Sequence, residues 1–190
     1  MMVGLFGGSF DPVHHGHLIA AAVAREALQL DEVRFVPAGA QPFKAGGHAA
    51  PALDRVAMLR HAVAGTPGFT VETCEVEREG PSYTVDTLRA FEAREPGQSF
   101  ILLLGADAAA EFPRWHEAEE IVRRARVAVL ARPGHTVPAA AWVSAVVPVP
   151  ALEISATDLR RRVAAGRPIR YFVPDAVATY VAERGLYRNL

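Results

Sequence analysis

Residues 4–18 read GLFGGSFDPVHHGHL, with four glycines, three histidines and one proline entered directly from the apolar run that opens the chain. That run, MMVGLF, has the composition of a buried strand, and the residues after it have the composition of a turn leading into a helix. Gly7 and Gly8 are expected to let the backbone approach a ligand closely and to adopt positive φ. A helix starting near Gly16 would aim its unpaired N–H groups and the positive end of its dipole at an anion. His14 and His17 lie three apart and share a face of that first turn. Two imidazoles beside a helix N-terminus suit a phosphate chain. Two familiar phosphate loops fail on spelling: Gly4 is followed two places later by Phe6 rather than by the glycine of G-x-G-x-x-G, and no G-x4-G-K-[ST] string occurs. Zinc has little support, because there is no HExxH and no cysteine pair, and adjacent His14 and His15 face different ways. The plain alternative is a glycine turn decorated with surface histidines.

Outward from this stretch, short apolar runs alternate with amphipathic ones. The pattern predicts a helix over 16–28 with Leu18, Ala22 and Ala24 facing inward. It then predicts a strand over EVRFVPA, a loop over 39–51, and a helix over LDRVAMLRHAVAG. FTVETCEVE alternates like a strand, YTVDTLRAFEAR reads as a helix, and SFILLLGAD as a continuous apolar strand. A helix over HEAEEIVRRA precedes the strand RVAVLA, and VVPVPALEIS reads as a last, proline-interrupted strand. SATDLRRRVAAG opens with a capping-box pattern at Ser155 and Asp158, and Pro174 and Gly185 frame the final helix. Strand–helix alternation, with middle strands apolar on both faces, implies an α/β fold: a parallel sheet with helices on both faces. With no repeat or linker in view, residues 1–190 are expected to form a single domain, with a C-terminal helical part from about 155. Ligands of such folds bind beyond the strands' carboxyl ends, here residues 7–17, 37–44, 105–107, 132–134 and 155–160.

The formal net charge of −1 gives no global attraction to nucleic acid or to an anionic membrane, so an anionic ligand must be held locally. No apolar run reaches the ~18 residues of a membrane span, and no basic, apolar leader opens the chain. The single cysteine, Cys74, cannot form an internal disulfide and reads as a small buried residue. The expected location is the cytoplasm.

GGSFDPVHHGHL resembles the G-G-[ST]-F-D-P-x-H-x-G-H signature of the nucleotidyltransferases that transfer an adenylyl group, and ISATDLR resembles their I-S-x-T-x-x-R element. Between them PSYTVDTL, GAD, FPRWHE and RPG occur in the order found in bacterial nicotinate-nucleotide adenylyltransferases. The likeness spans nearly the whole chain. It implies a Rossmann-like nucleotidyltransferase fold and a reaction in which the 5′-phosphate of nicotinate mononucleotide attacks the α-phosphorus of ATP. Deamido-NAD and pyrophosphate would be the products. Catalytic roles are implied for His14, His17, Lys44 and Arg160. Contacts to ATP are implied for Gly7, Gly8, Ser9, Phe10, Gly105, Asp107, Arg132, Ile154, Ser155 and Thr157. Asp107 would accept from ribose hydroxyls, Trp115 would stack on the pyridine ring, and Tyr83, Thr84 and His116 would meet the nicotinate carboxylate, largely through backbone N–H groups.

Chemistry agrees with so spare a set. A phosphomonoester loses its second proton near pH ~6, so the nucleophile needs no general base. The difficulty is repulsion between polyanions, and catalysis becomes positioning and charge neutralisation. A Mg2+ ion bridging ATP phosphates would need few protein ligands. No arginine is obviously dedicated to the substrate carboxylate, so the N-terminal amides of the helix opening at Thr84 are expected to bind it and to prefer the acid to the amide. Phe43 stands where many relatives carry a histidine and Ala118 where a second aromatic is common, while Ser9 for Thr and Ala156 for Ser are conservative. Taken without the resemblance, Lys44 is a solvated loop lysine, Ser155 an N-cap, Asp107 a cap and Trp115 a core residue. Rival functions are a sibling enzyme acting on another phosphate such as phosphopantetheine, or using CTP, and a non-catalytic nucleotide sensor. Self-association into a homo-oligomer is left open.

Overall fold

A computed structural model describes residues 1–40, 47–134 and 136–189. The opening run forms β1 (Met2–Gly8), followed by α1 (His15–Ala27), β2 (Glu32–Pro37), α2 (Ala52–Val63), β3 (Phe69–Val71), α3 (Cys74–Glu77) and α4 (Thr84–Arg94). Next come β4 (Ser99–Gly105), α5 (Ala106–Glu111), a 3₁₀ turn (Phe112–Arg114), α6 (Ala118–Arg124), β5 (Arg126–Ala131), β6 (Val143–Pro148), α7 (Ala156–Ala164) and α8 (Asp175–Glu183). The six strands pair in the order β3-β2-β1-β4-β5-β6, every pair parallel. Chain order reverses between β1 and β4, the place where open α/β sheets leave a crevice.

Side-chain alternation splits the apolar strands between two cores. Phe6, Ile101 and Leu103 face one side with Ala21 and Ala24 of α1, Met58 and Leu59 of α2, Leu159 of α7 and Val177 and Val181 of α8. Val3, Leu5, Leu102 and Leu104 face the other, with Val85, Leu88 and Phe91 of α4, Ala109 of α5 and Ile121 of α6. This double burial is why the middle strands read as continuous apolar runs. Gly4 interrupts β1 for a steric reason: a Cβ there would sit 2.6 Å from Leu30 Cδ1 and 3.2 Å from Leu103 Cδ1.

Several sequence expectations need correction. FTVETCEVE supplies only three strand residues before the chain turns into α3. The last strand occupies Val143–Pro148 rather than 146–155, since its partner β5 ends at Ala131, opposite Pro148. The strand through FILLLGA stops at Gly105, so Asp107 belongs to the unanticipated α5. On α1 Ala24 is buried as expected and Ala21 with it, while Ala22 is exposed. Neither Gly7 nor Gly8 has positive φ; Phe10 does, at +48°.

Candidate active site

The β1–α1 junction is built around an aromatic prop. Phe10 is 1 % exposed in its left-handed conformation, and its ring covers Gly8, where a Cβ would meet ring carbons at 3.1–3.3 Å. The same ring stands edge-on to the His17 imidazole, centroids 5.1 Å apart. Gly8 is therefore needed for packing and not for a turn.

His14 is the N-cap residue of α1 and His17 lies in its first turn; their rings stack with centroids 3.7 Å apart and an interplanar angle of 28°. The His14 amide donates to His17 Nδ1 at 3.3 Å. An Nδ1 that accepts leaves the ring proton on Nε2, so a neutral His17 offers one N–H donor. Burial, then the positive charge of Arg132, then His15 draw the His14 pKa down from 6.5 to about 4. Burial, His14 and Arg132 likewise hold His17 well below its ordinary value. Both imidazoles are thus neutral donors near pH 7. Gly16 makes their stacking possible, because a Cβ there would lie 3.0 Å from the His14 ring and 4.0 Å from the Ile154 carbonyl.

α7 brings the distant half of the site to the same loop. Arg160 Nη1 donates to the Asp11 carbonyl at 2.8 Å and Nη2 to Thr157 Oγ1 at 3.2 Å. Ser155 caps α7, its hydroxyl accepting from the Asp158 amide at 3.1 Å and donating to Asp158 Oδ2 at 2.7 Å. Arg132 follows β5, exposed, and both histidines feel its charge. Arg132 thus lies near both histidines, and Arg160, with Thr157, reaches the loop that carries them. Asp107 is exposed on the first turn of α5, two residues beyond Gly105. Lys44 and Phe43 lie outside the described residues.

A cavity of about 460 Å³ opens beside this edge, floored by Gly7, Gly8 and Gly105 and walled by Tyr83, Thr84, Trp115 and His116. Added Cβ atoms on Gly7 and Gly105 would meet nothing within 4 Å, so the backbone there is open to a ligand. Tyr83 and His116 rings lie 4.3 Å apart at 34°, and Trp115 is half-buried against Phe112, 5.5 Å between centroids. Thr84 opens α4, whose N-terminus reaches the cavity as expected. An arginine the sequence did not single out, Arg114, also lines it, paired with Glu111 at 2.8 Å. So does Glu75, whose Oε1 accepts from the Thr87 hydroxyl at 2.8 Å and whose carboxyl is pushed toward the neutral form by burial. Neither acid stands unpaired against an anionic ligand.

Beneath the loop sits Arg55, 1 % exposed, donating to the carbonyls of Ser9 at 2.8 Å and Ala38 at 2.7 Å. It ties the turn after β1 to the turn after β2. An arginine among the core-facing Val56, Met58 and Leu59 of α2 was the sequence signal that could have found it. Among the described residues no group of three His, Cys, Asp or Glu side chains could hold a metal ion, and no helix is long and apolar enough to cross a membrane.

The cytidylyltransferase-like family matches residues 5–162 of the chain. Over 195 aligned residues the chain is 48% identical to a protein of Roseiflexus sp. (strain RS-1) named probable nicotinate-nucleotide adenylyltransferase, covering 98% of each. It is 46% identical to a protein of the same name from Thermus thermophilus, covering 99% of this chain and all of the relative. A Plasmodium falciparum nicotinic acid mononucleotide adenylyltransferase solved with NaAD shares the fold at a TM-score of 0.78 and 16% identity, over 98% of this chain and 97% of that one. A Vibrio parahaemolyticus structure described as a putative nicotinate-nucleotide adenylyltransferase superposes at 0.72 and 19% identity, over 100% and 96%. With the stacked histidines, the capped α7 and the aromatic cavity arranged on that fold, the chain belongs to the nicotinate-nucleotide adenylyltransferases of the cytidylyltransferase-like family.

Proposed function

We propose that this protein transfers the adenylyl group of ATP to nicotinate mononucleotide, as the names of its relatives indicate, giving deamido-NAD and pyrophosphate for NAD synthesis. The observation that carries this reading is the convergence of the stacked His14–His17 pair and the Arg160 guanidinium on one loop, next to an aromatic cavity. An oxygen of the mononucleotide's 5′-phosphate attacks the α-phosphorus, the bond from that phosphorus to the bridging oxygen breaks, and pyrophosphate leaves with the electron pair. The nucleophile is already ionised, so the protein removes no proton. Its task is to hold two polyanions together and to take up charge as pyrophosphate departs.

His14 and His17 donate to the triphosphate as neutral groups, which spares them the cost of a buried cation before ATP arrives. Arg160, Arg132 and Lys44 supply the positive charge, and Gly7, Gly8, Ser9, Phe10, Gly105, Asp107, Ile154, Ser155 and Thr157 complete the ATP side. When bound, Mg2+ would be held mainly by the ATP phosphate oxygens rather than by side chains of this protein, and would offset phosphate charge. The location is the cytoplasm, where ATP is abundant.

In the cavity the pyridine ring packs on Trp115, and its carboxylate meets the α4 amides at Thr84 with Tyr83 and His116 alongside. These groups donate, so an amide NH2 would face donors and lack acceptors. The test is pyrophosphate release from ATP with a panel of phosphate acceptors and identification of the product. Nicotinate mononucleotide is expected to exceed nicotinamide mononucleotide by at least ~10-fold in kcat/KM, the scale of one misplaced polar group. Equal use of the amide, or a better rate with phosphopantetheine, defeats this reading. Binding of ATP without any turnover would favour the sensor.

A further inference from the structure

Behind the phosphate loop lies a buried polar cluster that the chemistry above does not use. Asp11 is 1 % exposed, and both carboxylate oxygens are engaged. Oδ2 accepts from the Ala49 amide at 2.7 Å, while Oδ1 accepts from the Ala50 amide at 3.1 Å and from the Tyr187 hydroxyl at 2.7 Å. The Asp11 carbonyl is the acceptor for Arg160. One residue therefore registers the segment at Ala49 and Ala50, the α7 arginine and the turn that carries Tyr187. Tyr187 is 6 % exposed and sits at φ +63°, a conformation that a tyrosine keeps only where its surroundings hold it. Its hydroxyl also lies 3.9 Å from Met58 Sδ of α2.

We infer that Tyr187 is a positioning residue for the proposed adenylyl transfer: by bonding Asp11 it fixes the carbonyl that holds the Arg160 guanidinium on the loop that carries His14 and His17. The inference rests on the reaction proposed above. A carboxylate with two amides and a phenol on it cannot swing, and its backbone carbonyl is then a fixed acceptor. Burial and the adjacent Asp11 carboxylate push the phenol's pKa up, so the hydroxyl keeps its proton at any working pH. None of Tyr83, Thr84 and Trp115, which wall the mononucleotide cavity, bonds to Asp11. Loosening Asp11 must therefore register on the ATP side.

Tyr187→Phe keeps the ring's volume and removes only the hydroxyl. Steady-state kinetics with each substrate varied should show kcat lower by about tenfold and KM for ATP raised, with KM for nicotinate mononucleotide within about twofold of the parent, since small misplacements of a positioned group cost that much. Unchanged kcat and KM for ATP would overturn the inference. So would a lower melting temperature with both KM values rising together, the mark of a merely structural role. If Tyr187→Phe does not fold, Asp11→Asn, which keeps one acceptor oxygen, carries the same expectation. If the parent protein makes no dinucleotide, the reaction is wrong. Calorimetric binding of a non-hydrolysable ATP analogue then decides the inference: weaker binding by the variant upholds it and equal binding overturns it.

Discussion

His14 carries a testable electrostatic consequence by itself. Its ring is 3 % exposed and its pKa stands at about 4 against an ordinary 6.5. The folded state therefore resists a proton that the unfolded chain accepts. Above pH 6.5 neither state binds it, and the imidazole is neutral on both sides of the equilibrium. As pH falls from 6.5 toward 4, the unfolded state gains protons first and stability drains away. At pH 4.5 the loss from this one group is on the order of 2–3 kcal/mol. Urea unfolding of the parent and of His14→Ala at pH 7 and pH 4.5 measures it: the variant should lose less stability between the two pH values by about that amount. Equal losses would mean that the ring is protonated or solvated in the native protein. Stacking at 3.7 Å suits two neutral imidazoles, since two imidazolium ions would repel at that distance.

Among the elements, α7 shows how a cap and a ligand-binding role compete for one hydroxyl. Ser155 donates its only proton to Asp158 Oδ2 and accepts from the Asp158 amide on one of its two lone pairs. A phosphate could claim that proton only by releasing Asp158, so the hydroxyl's share of the proposed ATP contact is small. Ser155→Ala should cost ~1 kcal/mol in chemical unfolding. It should raise KM for ATP by less than about threefold, under 0.7 kcal/mol of binding; a tenfold rise would show a direct phosphate donor.

The Ser155 cap that opens α7 was legible because its pairing with Asp158 is local chemistry written three residues apart. The strands β1, β4 and β5 were legible because burial on both faces leaves unbroken apolar runs. β3 was read six residues too long and α3 was missed inside it, since one short strand and one helical turn offer too few residues to separate a period of 2 from one of 3.6. The end of β6 depends on where β5 stops pairing, a long-range fact absent from VVPVPALEIS itself. In the site, the stretch around His14 and His17 was readable because its residue types are costly and clustered. Arg114 and Glu75 were not, because only the folding of α3, α4 and the turn after α5 brings them to one cavity. Tyr187 carried no signal at all; its partner Asp11 lies 176 residues away.

At the scale of the molecule, the chain reversal between β1 and β4 puts the groups proposed for the ATP side, from both halves of the chain, at one edge, and the helices beside that edge must not shift. Each face of the sheet carries a polar staple for this. On one face Asp54 of α2, 4 % exposed, accepts from the Tyr180 hydroxyl at 2.7 Å and from Arg184 Nε at 3.1 Å, fastening α8 to α2. On the other, Arg34 of β2 grips both oxygens of Glu95 at 2.6 and 2.7 Å, fastening the end of α4 to the sheet. The two share no residue and lie across a sheet whose packed layers are separated by about 10 Å. Asp54→Ala removes the acceptor for two donors and should destabilise by about 2 kcal/mol. Glu95→Ala leaves a half-buried guanidinium with only Glu32 and should cost about 1–2 kcal/mol. Chemical denaturation of the double variant should return the sum of the single losses to within about 0.5 kcal/mol, as for sites without common partners. A larger coupling would mean that strain crosses the sheet, and that the two faces do not hold the site independently.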